Sequence, residues 1–239
     1  MTIARAMVLA AGFGRRLRPI TETMPKPLVR VAGAPLIDHI LDRLAEAGVA
    51  EAVVNIHHHA DRLAAHLDGR PAPRITLSHE ESLLETGGGV RKALPILGGE
   101  PFFVVNGDVL WRDGKRAALD RLARAWDPAR MDALLLLQRT VTAVGYDGPG
   151  DFMLDSGGQV RRPEFGEIPP YLYGGIHILD PRLFAGAPEG PFSLNRLFDA
   201  TAAAGRLAGI VHDGEWYHVG TPAALAETEE RLNGASIWH

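Results

Sequence analysis

The 239-residue chain has no cysteine, which excludes disulfide bonds, thiolate zinc sites and cysteine nucleophiles. It also lacks any apolar run near the ~18 residues that a membrane-spanning helix needs. The apolar segment 6–11 is too short for the core of a signal peptide, and arginines follow it directly. We therefore expect a cytoplasmic protein without a membrane partner.

The chain also has no excess of positive charge. The sequence has 25 lysines and arginines against 29 aspartates and glutamates, a formal net charge of −4. This balance argues against a general nucleic-acid-binding protein. The 46% of hydrophobic residues is typical of a globular protein, and the length suits one α/β domain or at most two small ones.

The basic residues that are present cluster after an N-terminal apolar strand. Residues 9–28 read Leu-Ala-Ala-Gly-Phe-Gly-Arg-Arg-Leu-Arg-Pro-Ile-Thr-Glu-Thr-Met-Pro-Lys-Pro-Leu. Gly12 and Gly14 let the backbone approach a ligand, and Arg16 offers a forked donor to phosphate oxygens. Lys26 lies between two prolines that stiffen its loop. The segment predicts a pocket for several phosphates, as in a nucleoside triphosphate.

Two common phosphate motifs do not match this segment. A dinucleotide-binding turn requires a third glycine where Leu17 stands, and no Gly-Lys-Ser or Gly-Lys-Thr closes a P-loop. A strand followed by a basic surface loop is the alternative. It accounts for the two glycines alone but not for the whole run.

The periodicity of apolar residues predicts alternating strands and helices over the first 140 residues, and therefore a parallel sheet covered on both faces. The predicted strands are 6–10, 52–56, 75–78, 101–106 and 133–137, and the predicted helices are 35–48, 60–67, 87–94 and 117–126. Later residues predict a hairpin (151–154 with 159–161), strands 171–179, 207–211 and 216–219, a helix 193–204 capped by Ser193, and a helix 222–232.

Three further motifs are candidates for chemistry. Asp108 follows a buried strand within Asn-Gly-Asp, where it either holds Mg²⁺ or caps its own turn. Gly87, Gly88 and Gly89 open a helix, which indicates close approach by a flat ligand or, alternatively, a flexible surface loop. Three consecutive histidines, 57–59, alternate in direction along a strand, so we expect a solvated strand end rather than a metal site.

Residues 9–28 resemble the signature of the sugar-1-phosphate nucleotidyltransferases, Leu-Ala-(Ala/Gly)-Gly-x-Gly-x-Arg-x-x-Pro-x-Thr followed by Pro-Lys-Pro. The likeness extends to about residue 230. Segments 85–89 and 106–109 are similar in particular to small bacterial uridylyltransferases that act on N-acetylmuramate 1-phosphate in peptidoglycan recycling. The resemblance implies a Rossmann-like, mostly parallel sheet with helices on both faces and a small β-rich sugar-binding part. We expect one domain, 1–239, with a nucleotide-binding part (1–140) and a sugar-binding and closing part (141–239).

The implied reaction transfers a nucleoside monophosphate from an NTP, with UTP favoured, to a sugar 1-phosphate and releases pyrophosphate. The resemblance implies these roles: Arg16 and Lys26 in catalysis; Ala11, Gly12, Gly14, Gly88 and Asn106 at the nucleotide; Glu85, Glu164 and Gly174 at the sugar; Asp108 at the metal.

Two positions depart from the family pattern. Phe165 stands where many relatives have a lysine for the sugar phosphate. His218 replaces the aspartate that is the second metal ligand in relatives. Either Mg²⁺ is held by Asp108, phosphates and water, which we favour, or Mn²⁺ is preferred, or activity is impaired.

Three alternative functions remain open from the sequence. They are guanylyl transfer to mannose 1-phosphate, cytidylyl transfer to phosphocholine, and nucleotide-sugar sensing without turnover.

Overall fold

The computed structural model describes residues 2–234. Its strands are β1 (Arg5–Leu9), β2 (Arg30–Val31), β3 (Ala34–Pro35), β4 (Glu51–Ile56), β5 (Arg74–His79), β6 (Phe102–Asn106), β7 (Val109–Arg112), β8 (Ala133–Arg139), β9 (Met153–Leu154), β10 (Val160–Arg161), β11 (Tyr171–Leu179), β12 (Leu207–Val211) and β13 (Glu215–His218). Its α-helices are α1 (Leu36–Glu46), α2 (Ala60–Leu67), α3 (Glu85–Leu97), α4 (Ala118–Ala125), α5 (Asn195–Ala203) and α6 (Pro222–Gly234).

A seven-stranded sheet organises the molecule, in the order β12-β8-β11-β6-β1-β4-β5. β1 pairs in parallel with β4 and β6, and β12 pairs in parallel with β8. β11 runs antiparallel to both β6 and β8, so the sheet is mixed. The predicted α/β fold with a mostly parallel sheet is confirmed, and β11 is its antiparallel member.

Helices cover both faces of this sheet because its strands are apolar on both sides. On one face, α1 buries Ile37 and Ile40, spaced three residues apart on one side of the helix. On the other face, α3 buries Val90 and α5 buries Phe198. Each such side chain contributes about 1.5–3 kcal/mol through removal of apolar surface from water. Between residues 2 and 234, none of the helices combines the length and the apolar character that crossing a membrane requires.

The ribbon of β7 and β13 is the main element that the sequence pattern did not predict in full. β7 was not predicted as a strand, and it pairs antiparallel with β13 so that His218 lies opposite Val109. The predicted cap of α5 by Ser193 is present: its hydroxyl accepts a hydrogen bond from the Asn195 amide at 3.3 Å, and Leu194 between them already has helical backbone angles. The predicted hairpin is confirmed as β9 and β10, and the strand 171–179 has the predicted bounds.

The proposed nucleotide-binding and sugar-binding parts share the central sheet. β11 and β12 come from the part after residue 140, and they flank β8, which comes from the first part. The division at residue 140 stays a proposal about function.

Candidate active site

The candidate site lies where β1 and β6 end at the same edge of the sheet. The two strands are parallel neighbours, with Leu9 opposite Asn106. The Gly107 amide donates a hydrogen bond to the Leu9 carbonyl at 2.9 Å. A Cβ atom at Gly107 would lie 2.6 Å from that carbonyl oxygen. Glycine is therefore required for the two loops to leave the sheet side by side.

A cavity of about 500 Å³ opens above these strand ends. Its walls bring together eight of the predicted site residues: Ala11, Gly12, Gly14, Arg16, Lys26, Glu85, Asn106 and Asp108. Those residues come from four separate segments of the chain. The size suits a small-molecule ligand, and the lining mixes backbone groups with cations and carboxylates.

Gly14 folds the basic loop back over the lysine loop. Its φ of 61° is left-handed, which favours glycine. A Cβ atom at Gly14 would lie 2.9 Å from Thr21 Cγ2 and 3.0 Å from Lys26 Cβ. Thr21 Oγ1 donates to the Gly14 carbonyl at 2.9 Å. The glycine thus allows the close contact between the two loops.

Lys26 and Asp108 form an ion pair in the cavity wall. Lys26 Nζ lies 2.8 Å from Asp108 Oδ2, and the side chains are 12% and 26% exposed. Burial by itself raises the pKa of Asp108, but Lys26 and His218 outweigh it and hold that pKa well below its usual range. Asp108 is therefore an anion at neutral pH.

β13 brings His218 to the other side of the same carboxylate. His218 Nδ1 donates to the Gly145 carbonyl at 3.2 Å, and Nε2 lies 3.4 Å from Asp108 Oδ2. A carbonyl oxygen only accepts, so Nδ1 carries a proton, and Nε2 faces the Asp108 carboxylate. Imidazoles that bind metals commonly donate their other nitrogen to such a carbonyl.

This arrangement fits a cation held by one carboxylate and one imidazole. Asp108 Oδ2 and His218 Nε2 lie a short distance apart, which suits a divalent ion between them. In the part of the chain that the structure describes, no group of three or more histidine, aspartate or glutamate side chains is arranged to hold a metal.

Glu85, the first residue of α3, lines the cavity with a strained backbone. Its φ of 58° is left-handed, an uncommon conformation for a residue with a Cβ atom. Such conformations cost about 1–2 kcal/mol and concentrate at functional sites. Glu85 is thus the one predicted sugar ligand among the described residues that lines the cavity, and its role at the sugar stays a prediction.

The glycines that follow Glu85 are explained by packing within the protein. A Cβ atom at Gly87 would lie 2.3 Å from the Phe192 ring, and one at Gly88 would lie 2.4 Å from the Gly190 carbonyl oxygen. A Cβ atom at Gly89 would meet Glu80 Oε1 at 2.8 Å. The alternative of a flexible surface loop is wrong, because all three glycines are buried. Gly88 is outside the cavity lining, so its role at the nucleotide stays a prediction.

Glu164 and Gly174 also lie outside the cavity lining. Glu164 is in an exposed loop, where its amide donates to Glu167 Oε2 at 2.7 Å. Gly174 is buried in β11, and its carbonyl accepts a hydrogen bond from Trp216 Nε1 at 2.7 Å. Their roles at the sugar stay predictions.

A buried polar network next to the cavity was missed by the sequence reasoning. Asn55 Oδ1 accepts from the Ala10 amide at 2.7 Å, and Asn55 Nδ2 donates to Glu80 Oε1 at 2.7 Å. Glu80 Oε2 in turn accepts from the Leu84 amide at 2.9 Å. The network links the loop after β1 to the start of α3. Its signal in the sequence was an asparagine within an otherwise apolar strand.

Comparison with known proteins gives consistent relatives. The nucleotidyl transferase family model matches residues 5–234. The chain is 50% identical over 232 residues to an N-acetylmuramate alpha-1-phosphate uridylyltransferase of Caulobacter vibrioides, covering 95% of this chain and 96% of that protein. It is 37% identical over 229 residues to a protein of the same name from Neisseria meningitidis, covering 94% and 96%. A solved UDP-glucose pyrophosphorylase with UDP-glucose has the same fold, with a TM-score of 0.81, 17% identity and coverage of 98% and 99%.

Proposed function

This chain belongs to the nucleotidyl transferase family, and from that premise we propose that it transfers UMP from UTP to N-acetylmuramate 1-phosphate. The products are the UDP-sugar and pyrophosphate, and the proposed context is peptidoglycan recycling. The observation that carries the proposal is the Lys26–Asp108 pair beside the glycine turn, at 2.8 Å. Identity of 50% over nearly the whole of both chains supports the choice of base and sugar.

In the proposed reaction an oxygen of the sugar phosphate attacks the α-phosphorus of UTP. A new P–O bond forms between that oxygen and the α-phosphorus. The bond between the α-phosphorus and the oxygen that bridges the α- and β-phosphates breaks, and pyrophosphate leaves with its electron pair. The second pKa of a phosphate monoester is near 6, so the attacking oxygen is already an anion at neutral pH. The protein therefore has to align the reactants and neutralise charge rather than supply a strong base.

We assign these tasks to the cavity wall described above. Backbone N–H groups of Gly12 and Gly14 bind the polyphosphate, as exposed amides of a tight turn do. Arg16 and Lys26 stabilise negative charge on the α-phosphate and on the departing pyrophosphate. Their convergence on one cavity supports this assignment.

A divalent cation completes the proposed site. The family typically depends on a divalent metal. Asp108 and His218 would hold it, and when bound it would offset the negative charge of the triphosphate. Mg²⁺ is the proposed ion because Asp108 and phosphate oxygens are hard ligands, whereas the nitrogen of His218 would favour Mn²⁺.

The remaining assignments follow from the family resemblance. We propose Ala11, Gly88 and Asn106 for the nucleotide, and Glu85, Glu164 and Gly174 for the sugar. Among these, Ala11, Asn106 and Glu85 line the cavity, which supports them.

A substrate panel tests the proposal. UTP, GTP and CTP are each combined with N-acetylmuramate 1-phosphate, mannose 1-phosphate or phosphocholine, with Mg²⁺ and Mn²⁺ in parallel, and pyrophosphate release is measured. We expect the highest kcat/KM with UTP and N-acetylmuramate 1-phosphate. Preference for GTP and mannose 1-phosphate would reassign the substrates. Nucleotide binding without pyrophosphate release under every condition would reassign the protein as a sensor.

A further inference from the structure

The loop that carries the proposed catalytic arginine has little regular structure of its own. Residues 13–23, here called the arginine loop, contain only the short 3₁₀ turns Arg15–Leu17 and Ile20–Glu22. Leu17 is fully buried, but Arg16 is exposed at the cavity. A loop of this kind keeps one conformation only if contacts from outside hold it.

The three consecutive histidines supply such contacts. His58 Nε2 donates to the Thr21 carbonyl at 3.0 Å, and His59 Nε2 donates to the Glu22 carbonyl at 3.1 Å. Arg62 donates to the carbonyl of the next loop residue, Thr23. Three successive carbonyls of the arginine loop are thus bound by one short segment at the end of β4 and the start of α2.

The first histidine anchors this segment to the rest of the protein. His57 Nδ1 donates to the Glu80 carbonyl at 2.8 Å. The backbone of His59 is left-handed, with φ 52°, a conformation that turns the chain from the strand into α2. The histidines therefore point at separate carbonyls and diverge, as their positions in the sequence predicted. The expected solvated strand end is wrong, because all three rings are half-buried and bound to backbone carbonyls.

An aromatic contact adds a second hold on the loop. The Phe13 ring packs edge-on against His57 and His58, with centroids 5.4 Å apart in both pairs. The Phe13 ring also contacts Arg15, whose guanidinium carbon lies 5.0 Å from the ring centroid. The start of the arginine loop is thus packed against His58, which also binds the loop near its end.

His58 is connected to the catalytic cations by two steps. It binds the carbonyl of Thr21, and the Thr21 hydroxyl binds the Gly14 carbonyl at 2.9 Å. Gly14 fits directly against Thr21 and Lys26, and Arg16 follows two residues later. A shift of Thr21 would therefore move both cations relative to Asp108.

We propose that His58 is a positioning residue for the transfer reaction. It holds the arginine loop through Thr21 so that Arg16 and Lys26 meet the polyphosphate in one fixed geometry. This inference rests on the proposed function for the role of the two cations. The contact geometry stands without it.

Three variants separate the donor from the ring. His58→Phe keeps a ring against Phe13 and removes the N–H donor. His58→Gln keeps an N–H donor and removes the ring. His66→Phe is the matched control, because His66 lies on α2 and contacts Asp38 at 2.9 Å rather than the arginine loop.

We expect His58→Phe to lower kcat about three- to tenfold, the range for loss of one hydrogen bond. The KM for the sugar phosphate should stay unchanged, and His58→Gln should recover most of the loss. Hydrogen exchange of amides 14–23 in the ligand-free protein should be about three- to tenfold faster in His58→Phe alone. His66→Phe should match the wild type in both measurements.

Four outcomes would overturn the proposal. They are wild-type exchange of amides 14–23 in His58→Phe, wild-type kcat in that variant, equal loss in His58→Gln, or faster exchange spread evenly over the whole chain. Wild-type protein that releases no pyrophosphate, with faster loop exchange in His58→Phe, would instead refute the proposed function and leave the hold on the loop standing.

Discussion

The proposed phosphate region and the proposed sugar region are built in different ways. In the proposed phosphate region, the Lys26–Asp108 pair is mostly buried and Asn55 binds the loop backbone from inside the protein. On the proposed sugar side, the loop around Glu164 is exposed, and Phe165 and Ile168 are 109% and 86% exposed. Fixed charge is therefore concentrated where we propose that the phosphates bind, and where the proposed transition state would need it.

The comparison predicts that removal of one basic side chain lowers kcat strongly in the proposed phosphate region and hardly at all in the proposed sugar region. Lys26→Ala or Arg16→Ala should lower kcat about 10²–10³-fold, as for loss of one transition-state donor. Arg161→Ala is the matched control, since Arg161 pairs with Glu167 at 2.6 Å in the exposed loop. It should change kcat less than about twofold, because exposed ion pairs contribute little. The measurement is steady-state pyrophosphate release, and a normal kcat with only a raised KM in Lys26→Ala would contradict the role of that lysine.

A buried histidine in β11 gives a second prediction, about stability. Burial lowers the pKa of His177 to about 3, from an ordinary value of 6.5. Between these two values the unfolded chain binds a proton that the folded protein does not. Stability should therefore fall as the pH is lowered from 6.5 towards 3, by about 1.4 kcal/mol per pH unit from this group.

The variant His177→Gln removes this titration and keeps an acceptor for Tyr173, whose hydroxyl lies 2.5 Å from His177 Nδ1. Urea unfolding between pH 4 and 7 should show a flatter pH dependence in the variant. Parallel curves for the variant and the wild type would refute the assignment. The low pKa of Asp108 acts in another window, because its contribution is present above pH 4 and is lost only in stronger acid.

The third prediction concerns the metal. His218→Asp should bind Mg²⁺ about tenfold more tightly, because a second carboxylate is a harder ligand than imidazole. The measurement is a calorimetric titration of the protein with Mg²⁺ and Mn²⁺ in the presence of nucleotide. His218→Ala serves as the control that removes a ligand without adding one. Unchanged Mg²⁺ affinity in His218→Asp would place the ion away from this residue.

The smallest expected effect is at Glu85. Glu85→Gly should relieve the left-handed strain and stabilise the protein by about 0.5 kcal/mol, net of the added freedom of the unfolded chain. It should also lower kcat/KM for the sugar phosphate if the carboxylate binds that substrate. Ala32→Gly is the control: its φ is 48°, in the turn between β2 and β3. It should give a similar gain in stability and normal kinetics, and normal kinetics in Glu85→Gly would remove Glu85 from the sugar site.

The sequence was most informative for features that depend on residues close together in the chain. The bounds of α2, β11 and β12 match the prediction, and the family resemblance is confirmed by the match over residues 5–234. Lys26 and Asp108 were both predicted as site residues, from the resemblance and from the end of a strand, and the structure brings them together in a 2.8 Å pair. Local patterns and one dense motif were enough for these features.

The features that sequence reasoning missed depend on residues far apart in the chain. β7 was not predicted because its partner, β13, lies about a hundred residues later and no turn joins them. The sequence indicated a ligand contact or a flexible loop at glycines 87–89. Their packing partners include Phe192 and Gly190, which lie about a hundred residues later in the chain, so the sequence around the glycines does not reveal them. Such contacts leave no local periodicity to detect.

The position of β8 has a consequence for how the chain is made. Its core residues are Ala-Leu-Leu-Leu-Leu, and both strands that flank it, β11 and β12, are encoded after it. When only the first 170 residues have left the ribosome, β8 is therefore an unpaired, strongly apolar strand with both of its edges exposed. Until residue 211 emerges, the nascent protein carries a segment prone to association with other chains, and quick handling by chaperones would decide its yield.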